Sequence, residues 1–165
     1  QRMGRNYSVA DYEWAVSLVR KTIPGVAITT DVIVGFPGES AEEFEENYQF
    51  CRKMGFARIH VFPYSARVGT AASKMPHQVE DRIKRERCQR MIELARESAR
   101  NFREWFLGEM AEVLWERKVG ESWSGLTDNY IRVFTQSNEA LNNRLLPVRL
   151  LSQLKESLLG SLTPS

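Results

Sequence analysis

The sequence predicts a mixed α/β fold in which a parallel α/β region precedes a small all-β barrel. Three observations lead to this prediction. Helix-like and strand-like patterns alternate in the first part of the chain, a long amphipathic helix follows, and beyond Gly108 the pattern changes to short strand-like runs separated by Gly, Asn and Ser. With 165 residues, 42% of them hydrophobic, the chain is able to bury a core.

Two capping patterns predict where the first helices begin. Ser8 is followed three positions later by an acidic residue, and apolar residues then recur at helical spacing, which predicts a helix over Val9–Thr22. Ser40 repeats the signal and predicts a helix over Ala41–Met54. Gly55 is suited to the left-handed position that ends a helix.

The predicted strands alternate with these helices. Val26–Val34 is apolar nearly throughout and rich in β-branched residues, which is typical of a parallel strand covered on both faces. Ala57–Tyr64 alternates polar and apolar residues and predicts a second strand. Ser65–Gln78 has no periodicity and is predicted to be a loop, and Val79–Leu107 is predicted to be one long helix. The order predicts a β-α-β unit.

The chain after the long helix is read as a separate domain. Four strand-like runs are too few for a two-sheet sandwich, so a small, closed or nearly closed barrel of the oligonucleotide-binding kind is the economical prediction: Met110–Arg117, Gly125–Phe134, Leu145–Leu151 and Glu156–Leu162. We therefore predict two domains, residues 1–108, which include the helix over 79–107, and residues 109–165.

Composition limits the possible partners and location. The net charge is only +2, so a nucleic acid would have to be met by a local basic patch. No run approaches the length of a membrane span and no secretory signal opens the chain, which favours a cytoplasmic protein. Cys51 and Cys88 fall within helical patterns and are predicted to be small core residues rather than metal ligands.

The long helix carries a stripe of cations. Acidic residues are interspersed among them, so the favoured interpretation is a solvated helix face: Arg82, Lys84, Arg85, Arg87 and Arg90.

Ligand-type residues follow the first predicted strand. In parallel α/β folds ligands sit beyond the carboxyl ends of the strands, where Gly35, Pro37, Gly38 and Glu39 fall. The glycines allow the backbone to approach a ligand, whereas Asp31, inside the strand, would be a costly buried charge unless it is paired. A tight turn with a helix cap and no ligand is an equally good interpretation of these residues alone.

The second strand ends at the same predicted edge. Aromatic rings, a hydroxyl group and an arginine beside a glycine suit a site for a planar base and a charged group: Phe62, Tyr64, Ser65, Arg67, Gly69 and Thr70.

Three motifs in order resemble one enzyme family. TDVIVGFPGES at 30–40, HVFPYSARVGT at 60–70 and, after the long helix, GLTDNYIRV at 125–133 are similar to the carboxyl-terminal half of the radical S-adenosylmethionine methylthiotransferases, which ends in an RNA-binding TRAM domain. The segments HVFPYS and TDNY most resemble the branch that modifies N6-threonylcarbamoyladenosine next to the tRNA anticodon.

The resemblance implies a partial parallel (βα) barrel that binds S-adenosylmethionine, with one [4Fe–4S] cluster that cleaves it to a 5′-deoxyadenosyl radical and a second that takes part in sulfur delivery. It implies that the segment from Asp31 to Glu39 supports the adenosyl group, that Phe62 to Tyr64 lie near the adenine, and that Ser65, Arg67, Gly69 and Thr70 form a loop at the mouth of the site. Many members have Pro after this threonine, where this chain has Ala71. The cluster cysteines would lie upstream of Gln1, so we expect a fragment that is inactive by itself.

For the barrel, the functional interpretation is tRNA binding. The candidate phosphate contacts and stacking surfaces are cations and aromatic residues, with Arg5 added because it matches a basic position of the family: Arg5, Arg117, Lys118, Trp123, Tyr130, Arg132 and Arg144. Ordinary solvated surface and aromatic core explain each of them singly.

Three functions remain open on the sequence. The first is a tRNA threonylcarbamoyladenosine methylthiotransferase; the second is the same chemistry on isopentenyladenosine or on an aspartate of a ribosomal protein; the third is a non-catalytic RNA-binding module. Because a short piece of a parallel sheet leaves apolar surface uncovered, we also expect the chain to self-associate.

Overall fold

The computed structural model describes residues 3–163 and has a mixed α/β fold. The chain divides into two compact units, one that extends to Ala95 and one that starts at Arg96, and each is described by itself. None of the described helices combines the length and the apolar composition that a membrane crossing requires.

The first unit contains two helices, two strands and the first part of a third helix: α1 Val9–Thr22, β1 Thr29–Val34, α2 Ala41–Met54, β2 Arg58–Pro63 and α3 Asp81–Glu104. The predicted bounds of α1 and α2 are confirmed. Ser8 and Ser40 each form a complete capping box, and Gly55 ends α2 with φ 54°. The predicted loop between β2 and α3 contains a short 3₁₀ turn at Ala72–Lys74.

β1 and β2 form a parallel pair that runs in register from Thr29 opposite Arg58 to Val34 opposite Pro63. The predicted β-α-β unit is therefore confirmed. Residues of all three helices cover one face of this pair and form the core with it: Val16, Val32, Val34, Phe44, Cys51, Met54, Phe56, Ile59, Met91 and Leu94.

The prediction that the first strand is covered on both faces is wrong. β1 begins at Thr29 rather than Val26, and its residues alternate between exposed and buried, with Val32 and Val34 inside. Asp31 and Ile33 lie on the exposed face. Asp31 is consequently not a buried charge that needs a partner.

The second unit contains the last part of α3 and a closed five-stranded barrel: β3 Met110–Val119, β4 Ser122–Thr127, β5 Arg132–Gln136, β6 Leu145–Leu154 and β7 Ser157–Leu162. The strand order is β3-β4-β5-β7-β6, with β5 and β7 parallel and the other pairs antiparallel. The prediction of a small closed barrel is confirmed.

One strand prediction in the barrel is wrong. Gly125–Phe134 is two antiparallel strands, because a turn between Thr127 and Ile131 reverses the chain. Inside the barrel the packing is close at the glycines: a Cβ on Gly160 would lie 2.3 Å from Val148 Cγ1. Most of the buried side chains of the barrel are apolar, and Trp115 is the largest that is fully buried; Ser124, Thr127, Thr135 and Ser157 are buried as well.

Candidate functional site

Two loops leave the same edge of the parallel pair. The first rim, Gly35–Glu39, follows β1, and the second rim, Tyr64–Thr70, follows β2. The backbone N–H of Tyr64 donates to the carbonyl of Val34 at 2.8 Å, so the pairing continues to the point where both rims begin. The predicted adjacency of the two strand ends is confirmed.

The first rim is a tight, mostly buried turn. Gly35 and Gly38 have φ of 73° and 75°, and Pro37 between them is fully buried. A Cβ on Gly35 would lie 2.4 Å from Cγ of Lys84 on α3, so the absence of a side chain there lets Lys84 pack against the backbone. This close approach is made by a residue of the chain itself.

Glu39 is held inside the protein. Its Oε2 accepts a hydrogen bond from Gly35 N–H at 2.6 Å and one from Arg87 Nη1 at 2.5 Å, and Arg87 Nη1 also donates to the Glu39 carbonyl at 3.1 Å. The side chains of Arg87 and Glu39 are only 9% and 11% exposed. This carboxylate is used within the fold.

Arg87 lies at the first rim, and the sequence did not single it out as a site residue. The cations of α3 were predicted to form a solvated face, and for Arg87 that prediction is wrong, because the residue is buried and paired with Glu39. A signal was available: Ile83, Arg87 and Met91 are spaced four residues apart, so Arg87 lies on the helix face that enters the core.

An aromatic corner joins the two rims. The rings of Phe36 and Tyr64 meet edge to face with their centroids 5.4 Å apart, and Lys84 Nζ lies 5.8 Å from the Tyr64 ring centroid. The Tyr64 hydroxyl is buried and has no hydrogen-bond partner among the described residues. Lys84 Nζ also lies 3.2 Å from the Asp81 carboxylate.

The exposed face of the parallel pair brings two of the predicted cofactor residues together. Asp31 is opposite His60, and Ile33 is opposite Phe62, whose side chain is exposed. This face carries a carboxylate, an imidazole and an exposed aromatic ring directly below the rims.

The second rim is an exposed turn with an internal hydrogen-bond network. Thr70 donates to the Arg67 carbonyl through its N–H at 3.1 Å and through Oγ1 at 2.8 Å, and Gly69 has φ 89°. Residues 65–70 of this rim are exposed, whereas Tyr64 is partly buried. Ala71 has φ −58°, close to the angle that a proline would impose.

The two cysteines pack in the core of the first unit, as predicted: Cys51 is buried and Cys88 is partly buried against that core. Both are free, and burial raises the pKa of Cys51 to about 11. Burial also raises the pKa of Cys88, and the negative charge of Glu39 adds to the effect. Within residues 3–163, His, Cys, Asp and Glu side chains form no group of three or more that could hold a metal ion.

The aromatic candidates for RNA binding differ in exposure. Trp123 is 8% exposed and belongs to the core, so it is not available as the predicted stacking surface. Tyr130 is 77% exposed at the turn between β4 and β5, with φ 64°, and its N–H donates to the Thr127 carbonyl. Tyr130 is therefore the aromatic candidate that the structure leaves accessible.

The cationic candidates also separate into two groups. Arg132 pairs with Glu116, and Arg144 pairs with Glu139 at 3.0 Å. Arg117, Lys118 and Arg5 are exposed. The first two of these lie in adjacent positions at the end of β3, whereas Arg5 lies before α1 in the other unit.

Comparison with known proteins identifies relatives that match nearly the whole chain. No family model matches. A threonylcarbamoyladenosine tRNA methylthiotransferase of Bacillus subtilis is 37% identical over 156 residues, which are 92% of this chain and 35% of that protein. A tRNA-2-methylthio-N6-dimethylallyladenosine synthase of Acetivibrio thermocellus is 36% identical over 163 residues, 97% of this chain and 34% of that protein.

A second threonylcarbamoyladenosine tRNA methylthiotransferase, from Chlamydia pneumoniae, is 36% identical over 98% of this chain and 39% of its own length. The chain thus spans about a third of the length of the curated relatives it matches. Alignments of this extent include both rims and the barrel. The chain belongs to the methylthiotransferase family.

Proposed function

We propose that this chain is part of an enzyme that adds a methylthio group to C2 of an N6-modified adenosine in tRNA. The observation that carries the proposal is the extent of the matches: relatives named for this modification align with nearly the whole chain, through both rims and the barrel. We propose the threonylcarbamoyladenosine branch as the substrate class. Because a dimethylallyladenosine synthase matches at nearly the same identity, that substrate is the second candidate.

We also propose that the first unit is one part of a parallel (βα) barrel whose inner face is the exposed face of β1 and β2. S-adenosylmethionine would meet Asp31 and Phe62 on this face and Tyr64 at the second rim. The exposed Phe62 ring fits an adenine, and the Asp31 carboxylate fits the ribose hydroxyls or the amino groups of S-adenosylmethionine. When bound, S-adenosylmethionine supplies the methyl group and the adenosyl group.

The remaining rim residues shape the site. Gly35, Pro37, Gly38 and Glu39 set the path of the first rim, and the exposed Ser65, Arg67, Gly69 and Thr70 are proposed to face the substrate. The described residues do not fit a [4Fe–4S] cluster, since they contain no suitable group of ligands. The two clusters of the family would therefore require ligands from outside residues 3–163.

For the barrel we propose an oligonucleotide-binding role within a domain of residues 109–165, preceded by a domain of residues 1–108. The closed five-stranded barrel, in which one strand pair is parallel, supports this role because oligonucleotide-binding folds are small five-stranded barrels. Tyr130, Arg117 and Lys118 are the proposed tRNA contacts. Arg132 and Arg144 are expected to contribute less, because each is already paired with a carboxylate.

Deletion of the gene tests the substrate. We expect mass spectrometry of tRNA hydrolysates to show loss of 2-methylthio-threonylcarbamoyladenosine and gain of the unmethylthiolated nucleoside, with both restored by the full-length gene. Loss of the methylthio-dimethylallyl nucleoside instead would select the second candidate. Unchanged amounts of both would contradict the proposed function.

Binding of tRNA tests the role of the barrel and the alternative of a purely RNA-binding module. We expect salt-sensitive tRNA binding by the full-length enzyme that Tyr130→Ala weakens by about tenfold, because base stacking contributes on the order of 1–3 kcal/mol. Val119→Ala, also exposed and on the barrel, is the control. Binding that Tyr130→Ala leaves unchanged would contradict the stacking role, and RNA binding without any nucleoside change on deletion would favour the module.

A further inference from the structure

Arg87 and Glu39 form an ion pair that is buried, whereas the other charged residues described in α3 are exposed or, like Lys84, partly exposed. Both side chains are almost fully removed from solvent, and the guanidinium also lies 5.4 Å from the Phe44 ring centroid. Charges at such a depth are retained in proteins when their hydrogen bonds are satisfied. The two hydrogen bonds of Arg87 Nη1 to Glu39 and the bond from Gly35 N–H meet that condition.

The pair controls the geometry of the first rim at both of its ends. Glu39 Oε2 ties the last residue of the rim to the first, because it accepts from Gly35 N–H at 2.6 Å. Arg87 then fixes that closed turn to α3 through both the carboxylate and the carbonyl of Glu39. The rim is therefore a ring closed by a carboxylate and held from one side by a cation.

Two further contacts come from the same part of the chain. The Lys84 side chain packs against Gly35, where a Cβ would be only 2.4 Å from Lys84 Cγ. The N–H of Gly38 donates to the carbonyl of His77 at 2.8 Å. The segment from His77 to Arg87 thus contacts the first rim at three of its five residues.

The position of the first rim determines the position of the aromatic corner. Phe36, inside the closed turn, packs its ring against Tyr64 of the second rim. A change in the turn would consequently move a ring that packs against Tyr64 of the proposed site, although the side chains of Arg87 and Glu39 are themselves almost fully buried.

We infer that Arg87 and Glu39 are positioning residues that preform the adenosyl-binding edge by closing the first rim, and that neither of them contacts the cofactor. This inference rests on the proposed function for the identity of the ligand. It also changes the role of Glu39, which the sequence assigned to cofactor contact. The charge and hydrogen bonds of the pair act through Gly35 and Phe36.

The test uses the full-length enzyme with Arg87→Met, Arg87→Lys and, as the matched control, Arg85→Met, which removes an exposed cation from the same helix. Hydrogen exchange measured by mass spectrometry on the peptide containing Gly35 to Glu39 is the first readout. We expect Arg87→Met to speed exchange in this peptide at least tenfold, Arg87→Lys to show an intermediate rate, and Arg85→Met to match the wild type.

The second readout is steady-state kinetics with S-adenosylmethionine varied. We expect the KM for S-adenosylmethionine to rise on the order of tenfold in Arg87→Met, with kcat at saturation changed by less than about twofold, because a displaced rim weakens binding of the cofactor. If Arg87→Met does not fold, Arg87→Lys, which keeps the charge, decides the question by the same two measurements.

The outcomes separate this inference from the proposed function. Failure of S-adenosylmethionine to protect the rim peptide of the wild-type enzyme from exchange would overturn the proposed ligand and the inference together. Protection in the wild type, with an unchanged KM in both Arg87 variants, would overturn the positioning role alone. A roughly tenfold loss of kcat without a change in KM would also contradict the positioning role, since that result indicates a role in the reaction itself.

Discussion

The two units solve the problem of an exposed sheet in different ways. Each of the five barrel strands pairs with two neighbours, so none of them has a free edge. In the first unit, β1 and β2 pair only with each other among the described residues, and apolar side chains such as Ile33 and Phe62 remain exposed on their open face. The barrel is complete by itself, whereas the parallel pair presents edges and a face on which further chain or a ligand can pack.

The interiors differ as well. Among the described residues the barrel buries no charged side chain: its buried polar side chains are the hydroxyl residues Ser124, Thr127, Thr135 and Ser157, and the indole N–H of the buried Trp115 has no partner there. The first unit instead buries the ion pair of Arg87 and Glu39 next to its candidate site. Charge is thus placed at the loop that requires a defined shape, and the barrel relies on packing.

The largest effect is expected from the barrel core. Trp115→Ala should lower the free energy of unfolding by about 3–5 kcal/mol, because it removes the largest fully buried side chain and leaves a cavity. Trp115→Phe should cost much less, since it also removes the unpartnered indole N–H. Urea denaturation followed by circular dichroism measures both, with Trp14→Ala, 67% exposed, as the control. Similar losses for Trp115→Ala and Trp14→Ala would show that the barrel is not packed as described.

A smaller effect is expected at the first rim. Ala is strained at positive φ by about 1–2 kcal/mol, and this cost applies to both Gly35→Ala and Gly55→Ala. Only at Gly35 does the new Cβ meet a side chain, so Gly35→Ala should cost roughly 1 kcal/mol more. The Gly35→Ala/Lys84→Ala double variant should recover that excess. Equal costs at the two glycines in denaturant titrations would contradict the close approach of Lys84.

We expect self-association through the exposed face of β1 and β2, and a surface substitution on that face should reduce it with little effect on the free energy of unfolding. Ile33→Lys on the parallel pair should keep the free energy of unfolding within about 0.5 kcal/mol and reduce association of the 165-residue chain in light scattering. Leu151→Lys, which changes an exposed residue of the barrel, is the control. A wild-type chain that is monomeric at high concentration, or equal effects of the two variants, would contradict this assignment.

The smallest effect concerns the thiols. Burial raises the pKa of Cys51 from its ordinary value of 9.0 to about 11, so at pH 8.5 its thiol should resist alkylation in the folded protein and react on unfolding. Because the folded pKa is the higher one, the contribution of this group to stability is present below pH 9 and is lost as the pH rises through about 11. Alkylation of the Cys88→Ser variant, read by mass spectrometry, measures Cys51 alone. Rapid alkylation of the folded variant would contradict its burial.

The sequence predicted best what depends on local chemistry. The bounds of α1 and α2 follow from capping boxes and a left-handed glycine, all signals within a few residues of the helix ends. The two rims were also predicted to meet, because parallel strands end at one edge. Their role in binding a cofactor stays a proposal.

The wrong predictions concern burial, which depends on residues that are distant in the sequence. The apolar sequence around β1 did not reveal that one face of the strand is exposed, because that depends on which elements cover it. Similarly, the sequence left open whether Trp123 is a stacking surface or part of an aromatic core, and it is buried in the barrel; Arg87 was predicted to face solvent but pairs with Glu39, 48 positions away. A charged residue at a core-facing helical position indicates that a residue of opposite charge pairs with it, but the local sequence pattern does not identify that residue.

The distribution of the tryptophans has a practical consequence for spectroscopy. Trp115 and Trp123 are buried in the barrel, whereas Trp14 and Trp105 are largely exposed. Indoles shielded from water emit at shorter wavelengths and escape aqueous quenchers, so the short-wavelength emission of the unlabelled protein reports on the barrel. The cysteines are both in the first unit, at Cys51 and Cys88. Unfolding of the two units can therefore be followed separately in one sample, with tryptophan fluorescence for the barrel and a thiol reagent for the first unit.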